Sequence, residues 1–207
     1  DNSDVRILFA FPDKYEVGIS NLGVRVLYHV VNRQDGLMAD RAYAPEPDFI
    51  KVVEETKLPL YGVESKRPYS DFDLVGFSLQ YELCYPTVLK MLELGGITVL
   101  REERGENEPI IIGGGPCAYN PKPMSDFIDI FSIGDGEDVT VEIMRRYNEI
   151  RHLPRAEKIK ELAKIKGVYA PSLENKTVKR IAELNNDNLP IENPVPYSSS
   201  IHDRTII

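Results

Sequence analysis

Tryptophan is absent from the 207-residue chain, and cysteine nearly so. Its two cysteines, Cys84 and Cys117, form no CxxC pair, which removes a zinc or cluster-binding framework from this stretch. They read as reduced, buried thiols. Three histidines, His29, His152 and His202, are scattered and suggest no metal site. No apolar run is long enough to span a bilayer and no signal peptide opens the chain, so the protein is expected to be cytoplasmic, with no membrane partner. Positive charge is also scarce. Lys and Arg number 25 against 33 Asp and Glu, for a net charge of −8. Such a surface does not attract nucleic acid as a whole. The glycine run Gly113-Gly114-Gly115 lacks the Gly-Lys-Ser/Thr of a phosphate loop, and Pro116 blocks an immediate helix after it. No Ser/His/Asp or Cys/His arrangement is suggested, so no self-sufficient catalytic centre is expected.

What is present is an alternation. VRILFAF (5–11) and FDLVGFSL (72–79) are short apolar runs suited to strands buried on both faces. PIIIGGG (109–115) and FIDIFSIGDGE (127–137) each read as a strand running into a glycine turn, and 37–43 as a weaker strand. Between them, LGVRVLYHVVN (22–32) has apolar residues at helical spacing behind a candidate N-cap, Asn21. A helix starting near Pro47, another over 85–96 and a third over 137–150 complete the set. Apolar strands alternating with helices predict an α/β, doubly wound parallel sheet of flavodoxin-like type over residues 1–150. Residues 151–184 predict a helix from Arg155 and a small β-hairpin pairing Val168–Ala170 with Thr177–Ile181. Residues 185–207 read as a linker rich in Asn, Pro and Ser. The chain stops on HDRTII, an apolar run with no polar tail, and is expected to continue into a longer protein.

In open doubly wound sheets, ligands sit beyond the carboxyl ends of the strands. The loops expected there are PDKYEVGISN, SLQYE, GGPCAYNPKP and IGDGE. The glycine run serves either close approach of a ligand or a tight turn. In IGDGED, Asp135 is expected to cap the following helix, with a metal or ribose contact as the sharper alternative. Tyr15, Tyr81 and Tyr119 would stand near one cleft, to stack on a ligand or partner or to pack their own loops.

As a set these loops resemble those of cobalamin-binding domains, which carry Asp-x-His-x-x-Gly, Ser-x-Leu and Gly-Gly at the corresponding places. Asp13, Tyr15 and Gly18 stand at the first motif, Ser78 and Leu79 at the second with altered spacing, and Gly114 and Gly115 at the third. Closer still, FPDKYEVGISNLG, DFDLVGFSLQYEL, IIGGGPCAYNPKPMSDFID, IGDGE with Gly134 and Gly136, IKGVYAPS and HDRTII resemble radical SAM proteins with an N-terminal B12-binding-like domain. The resemblance implies a cobalamin site with no histidine on cobalt, because Tyr15 stands at the ligand position. It also implies a downstream radical SAM domain as partner, holding a 4Fe-4S cluster on CxxxCxxC together with S-adenosylmethionine. No such motif lies in this chain. The resemblance implies that the substrate, a macromolecule among the candidates, is handled downstream. Two roles stand: holding cobalamin over the downstream active site, or serving as a cofactor-free interaction or substrate-recognition module.

Overall fold

The first strand, Val5–Phe11 (β1), is buried along nearly its whole length because sheet and helices cover both of its faces. The computed structural model describes residues 3–182. The linker expected over 185–207, with HDRTII, lies outside the described residues. The strands that follow are Leu37–Tyr43 (β2), Leu74–Ser78 (β3), Ile110–Gly114 (β4), Ile130–Ser132 (β5) and Val168–Tyr169 (β6). They form one sheet in the order β2-β1-β3-β4-β5-β6. The first five are mutually parallel and β6 runs antiparallel to β5. The chain therefore reverses its direction of growth between β1 and β3, and that switch point opens a crevice at the carboxyl edge.

Alternation along the strands separates two cores. Ile7, Phe9, Leu74, Ile110 and Ile112 face the helices Leu22–Asn32 (α2), Glu137–Ile150 (α5) and Arg155–Leu162 (α6). Leu8, Val75, Phe77 and Ile111 face Pro47–Thr56 (α3) and Tyr85–Leu94 (α4). α2 begins at the expected cap, where the Asn21 carboxamide oxygen accepts the Val24 amide at 3.0 Å. The expected loop at DKYEVG contains a single helical turn, Tyr15–Gly18 (α1).

The outer edge of β2 is covered. Val63 donates its amide to the Arg41 carbonyl at 2.8 Å. The Asp40 carboxylate accepts the amides of Glu64 and Ser65. Arg41, 1% exposed, pairs with Glu64 and lies 4.7 Å from the Tyr28 ring centroid. Beside it, Tyr61 and Pro68 form one antiparallel bridge.

The C-terminal part departs from expectation in its pairing. Val168–Tyr169 pairs with β5, not with Thr177–Ile181, so no hairpin forms between those two stretches. Arg180 instead bridges Gly134 in parallel. Pairing with β5 sets Tyr169 beside the buried Phe131 ring, with centroids 6.4 Å apart, whereas the stretch 174–180 is largely polar. α6 is fixed by Arg155, whose guanidinium enters the main domain and donates to Asp129 at 2.7 Å and to the Pro109 carbonyl at 2.8 Å. Arg104 donates to the same Asp129 oxygen at 2.8 Å. Among the described residues, no helix is long and apolar enough to cross a membrane.

Candidate functional site

On the α2 and α5 side of the sheet, side chains shrink toward the carboxyl edge. In β3 the residues facing that side run Leu74, Gly76, Ser78; in β4 they run Ile110, Ile112, Gly114. β5 ends on Ser132. Glycine and serine cannot fill the space that leucine and isoleucine fill further down. A cleft of about 250 Å³ remains between the sheet, α2 and the start of α5. Phe9, Leu27 and Ile143 give it apolar walls, and Ser78, Gln80 and Thr140 give it polar points. The Ser132 hydroxyl also lines it, buried and without a hydrogen-bond partner. The Ser78 hydroxyl accepts from Gln80 Nε2 at 2.7 Å.

Five of the expected site residues meet here: Ser78, Gly114, Gly115, Gly134 and Gly136. Their roles differ. A Cβ at Gly114 would meet nothing within 4 Å, so this glycine leaves the floor open. A Cβ at Gly134 would stand 2.0 Å from the Arg180 carbonyl oxygen, so this glycine admits a passing backbone. Gly136 lets α5 approach Leu27 of α2. Gly115 packs against the Leu79 backbone. Leu79 itself is core: its amide donates to the Gly114 carbonyl at 2.7 Å, and its carbonyl accepts the Cys117 amide at 3.0 Å. Both cysteines are free thiols, and burial pushes that of Cys84 up.

Asp13, Tyr15 and Gly18 do not line the cleft. The Asp13 carboxylate accepts the Tyr81 hydroxyl at 3.0 Å and the Lys14 amide at 2.8 Å, joining the first and third loops. That bond pushes the Tyr81 phenol up from its ordinary value. Gly18 is buried, and a Cβ there would lie 2.4 Å from the Tyr43 ring. Tyr15 packs edge-on against Tyr43 with ring centroids 5.1 Å apart. It belongs to a separate pocket of about 380 Å³ beyond the end of β2, with Tyr43, Phe49, Tyr61 and Tyr69. The motif that suggested a cobalt ligand thus builds an aromatic pocket next door.

Asp135 is not the cap of α5. Gly136 holds that position, with no side-chain bond. The Asp135 carboxylate accepts the Ala182 amide at 3.0 Å, because the Arg180 bridge carries the chain past this turn. Tyr81 and Tyr119 are 44% and 54% exposed, and Leu83 between the same loops is 85% exposed.

Residues 23–171 match the family described as radical SAM proteins, N-terminal. The chain belongs to that family. The match runs from Gly23 in α2 to Pro171, just past β6, and so takes in most of the cleft and the first part of the C-terminal extension. An uncharacterized protein of Methanocaldococcus jannaschii is 26% identical over 195 residues, covering 91% of this chain. The chain spans about a third (34%) of that relative's length.

Sequence reasoning about this radical SAM N-terminal domain missed Gly76, Ser132 and Thr140. A signal was available. Gly76-x-Ser78 and Ile112-x-Gly114 put small residues on one face at strand ends, with Ser132 closing the next strand. Thr140 interrupts the inward face of α5, whose other buried members include Val139, Ile143 and Met144.

Proposed function

We propose that this domain holds cobalamin in a radical SAM enzyme, with the nucleotide tail of the cofactor in the cleft between α2 and α5. The observation that carries this reading is the open floor at Gly114 beside the unpartnered Ser132 hydroxyl. A buried hydroxyl without a partner is costly, and a ligand that supplies the missing bond repays that cost. The volume exceeds that of a cavity of about 150 Å³ known to accept benzene, so it is large enough for a flat heterocycle, with Phe9 and Leu27 among its apolar walls. Ser78, Gln80 and Thr140 are placed for its polar edges. Bound cobalamin would supply a cobalt centre for methyl transfer or rearrangement. Among the described residues no histidine lines the cleft, and Tyr15 lies in the neighbouring pocket, so the reading assigns the metal no ligand from them.

Family membership implies a 4Fe-4S cluster and S-adenosylmethionine in the longer protein, held by sequence outside this chain. The exposed Tyr81, Leu83 and Tyr119 at the carboxyl edge suit docking to that downstream domain. A cofactor-free recognition module is the second reading, favoured by the same exposed residues; the open cleft weighs against it.

The test is a titration of the purified chain with hydroxocobalamin, followed by visible absorbance and gel filtration. Saturable spectral change and co-elution are expected, with at least tenfold weaker binding in Gly114→Leu, whose side chain would occupy the floor. An unresponsive wild-type spectrum with no co-elution would sink the cofactor reading.

A further inference from the structure

We infer that the aromatic pocket beyond β2 is a second binding site, built for an alkylammonium group. It shares no lining residue with the cleft, so the inference does not rest on the cofactor reading. Its walls are two edge-on ring pairs, Tyr15 on Tyr43 and Phe49 on Tyr61, with centroids 5.1 and 6.3 Å apart. Tyr15, Phe49 and Tyr61 are each more than a third exposed, at 38%, 36% and 39%. Ring faces left open in a concave site attract cations through their quadrupoles.

Three further features select the same chemistry. First, Glu16, Glu46 and Asp48 line the pocket against a single lining cation, Lys66. Lys14 from outside offsets Glu46 at 2.8 Å. The remaining carboxylate excess repels an anion and draws a cation. Second, the hydroxyls of Tyr43 and Tyr69 are buried without partners, on residues 8% and 0% exposed. Burial pushes the Tyr43 phenol up to about 12, against the pull of the nearby Arg41 guanidinium that Glu64 pairs, and raises that of Tyr69 as well, so both stay neutral at physiological pH. A neutral phenol oxygen accepts from an ammonium N–H, whereas a purely apolar ligand would leave it unpaired. Third, the chain already shows the pairing. The Lys66 ammonium lies 5.5 Å from the Tyr61 ring centroid and donates to the Val63 carbonyl at 2.6 Å. Lys66 is thus an internal competitor for the face that a ligand would use.

An alkylammonium group can come from a free polyamine or from a lysine side chain on a peptide. The whole 207-residue chain is titrated with spermidine and, separately, with Nα-acetyl-lysine-amide, while tyrosine ring resonances are followed by NMR. Nε-acetylated lysine amide, which lacks the charge, is the control. Saturable shifts are expected with one or both amines. Response to spermidine alone assigns a polyamine, and response to the lysine compound assigns a peptide side chain. Affinity should fall at least fivefold in Tyr61→Ala and in Glu16→Gln, and rise at least twofold in Lys66→Met, which frees the Tyr61 face. These residues are solvent-accessible, and unchanged backbone spectra would show that the variants remain folded. The inference is overturned if the neutral control shifts the same rings equally, if neither amine saturates, or if the three variants bind as the wild type does.

Discussion

Residues that looked alike in the sequence proved to have different physical tasks. Gly18 and Gly114 both stood at cofactor-motif positions, yet one is buried under a tyrosine ring and the other faces open space. Sequence spacing marks where a residue without a side chain is needed; it does not say whether protein or ligand fills the gap. Tyr15 shows the same limit, because the direction of its ring depends on Tyr43, 28 positions away. The polar cluster on the outer edge of β2 was also illegible, since Glu64 meets Asp40 and Arg41 only through the fold. It has a pH consequence. Burial, and then the Asp40 carboxylate, push the Glu64 carboxyl up to about 7 from an ordinary 4.5, against the pull of Arg41. An acid raised in the folded state binds more protons there than in the unfolded chain. Its contribution to stability is full below pH 4.5 and is lost as pH rises through about 7. The urea midpoint of the wild type should therefore fall relative to that of Glu64→Gln between those limits; parallel profiles would refute the assignment.

Secondary-structure elements were the most readable level. Apolar runs of strand length at regular intervals, separated by amphipathic helices, leave few arrangements that bury every face. α2 was read to its ends because its cap is local: Asn21 lies three residues from the amide it satisfies. Removing that cap in Asn21→Ala should cost about 1 kcal/mol. Urea unfolding would show the loss, and amide exchange at Val24 should quicken. Because Gly23, Val24 and Leu27 wall the cleft, the same change should loosen ligand binding there. Elements whose partners are distant were harder. The stretch 177–181 has strand-like composition, but its pairing with Gly134 is set by a sheet edge more than 40 positions away, as the Arg180 bridge shows.

At the scale of the whole molecule, the order β2-β1-β3-β4-β5 followed from doubly wound logic, whereas the attachment of the extension did not. Apolar burial of Ile159, Leu162 and Val168 supplies part of that attachment, and a buried ion cluster supplies the rest. Asp129, fully buried, accepts from Arg104 and Arg155 and also from the Ile111 amide, so one carboxylate joins α6 to β4. Asp129→Ala would leave two buried guanidinium groups without their counter-ion. Breaking a buried pair in this way typically costs about 3–5 kcal/mol. A drop of that size in chemical denaturation is expected, with earlier protease cleavage near α6; a loss below about 1 kcal/mol would mean that Arg155 finds other partners. The covered margin of β2 has a different consequence. A sheet margin with unpaired amides and carbonyls is a template on which foreign strands assemble, and on which fibrils grow. Here one margin is occupied by the Val63 and Asp40 contacts, and the other ends in a strand of two residues. Among the described residues, both sheet margins thus offer few free backbone groups for strand addition, which disfavours self-association through the backbone. The described surface therefore offers a partner mainly side chains, such as Tyr81, Leu83 and Tyr119 at the loops where the strands end.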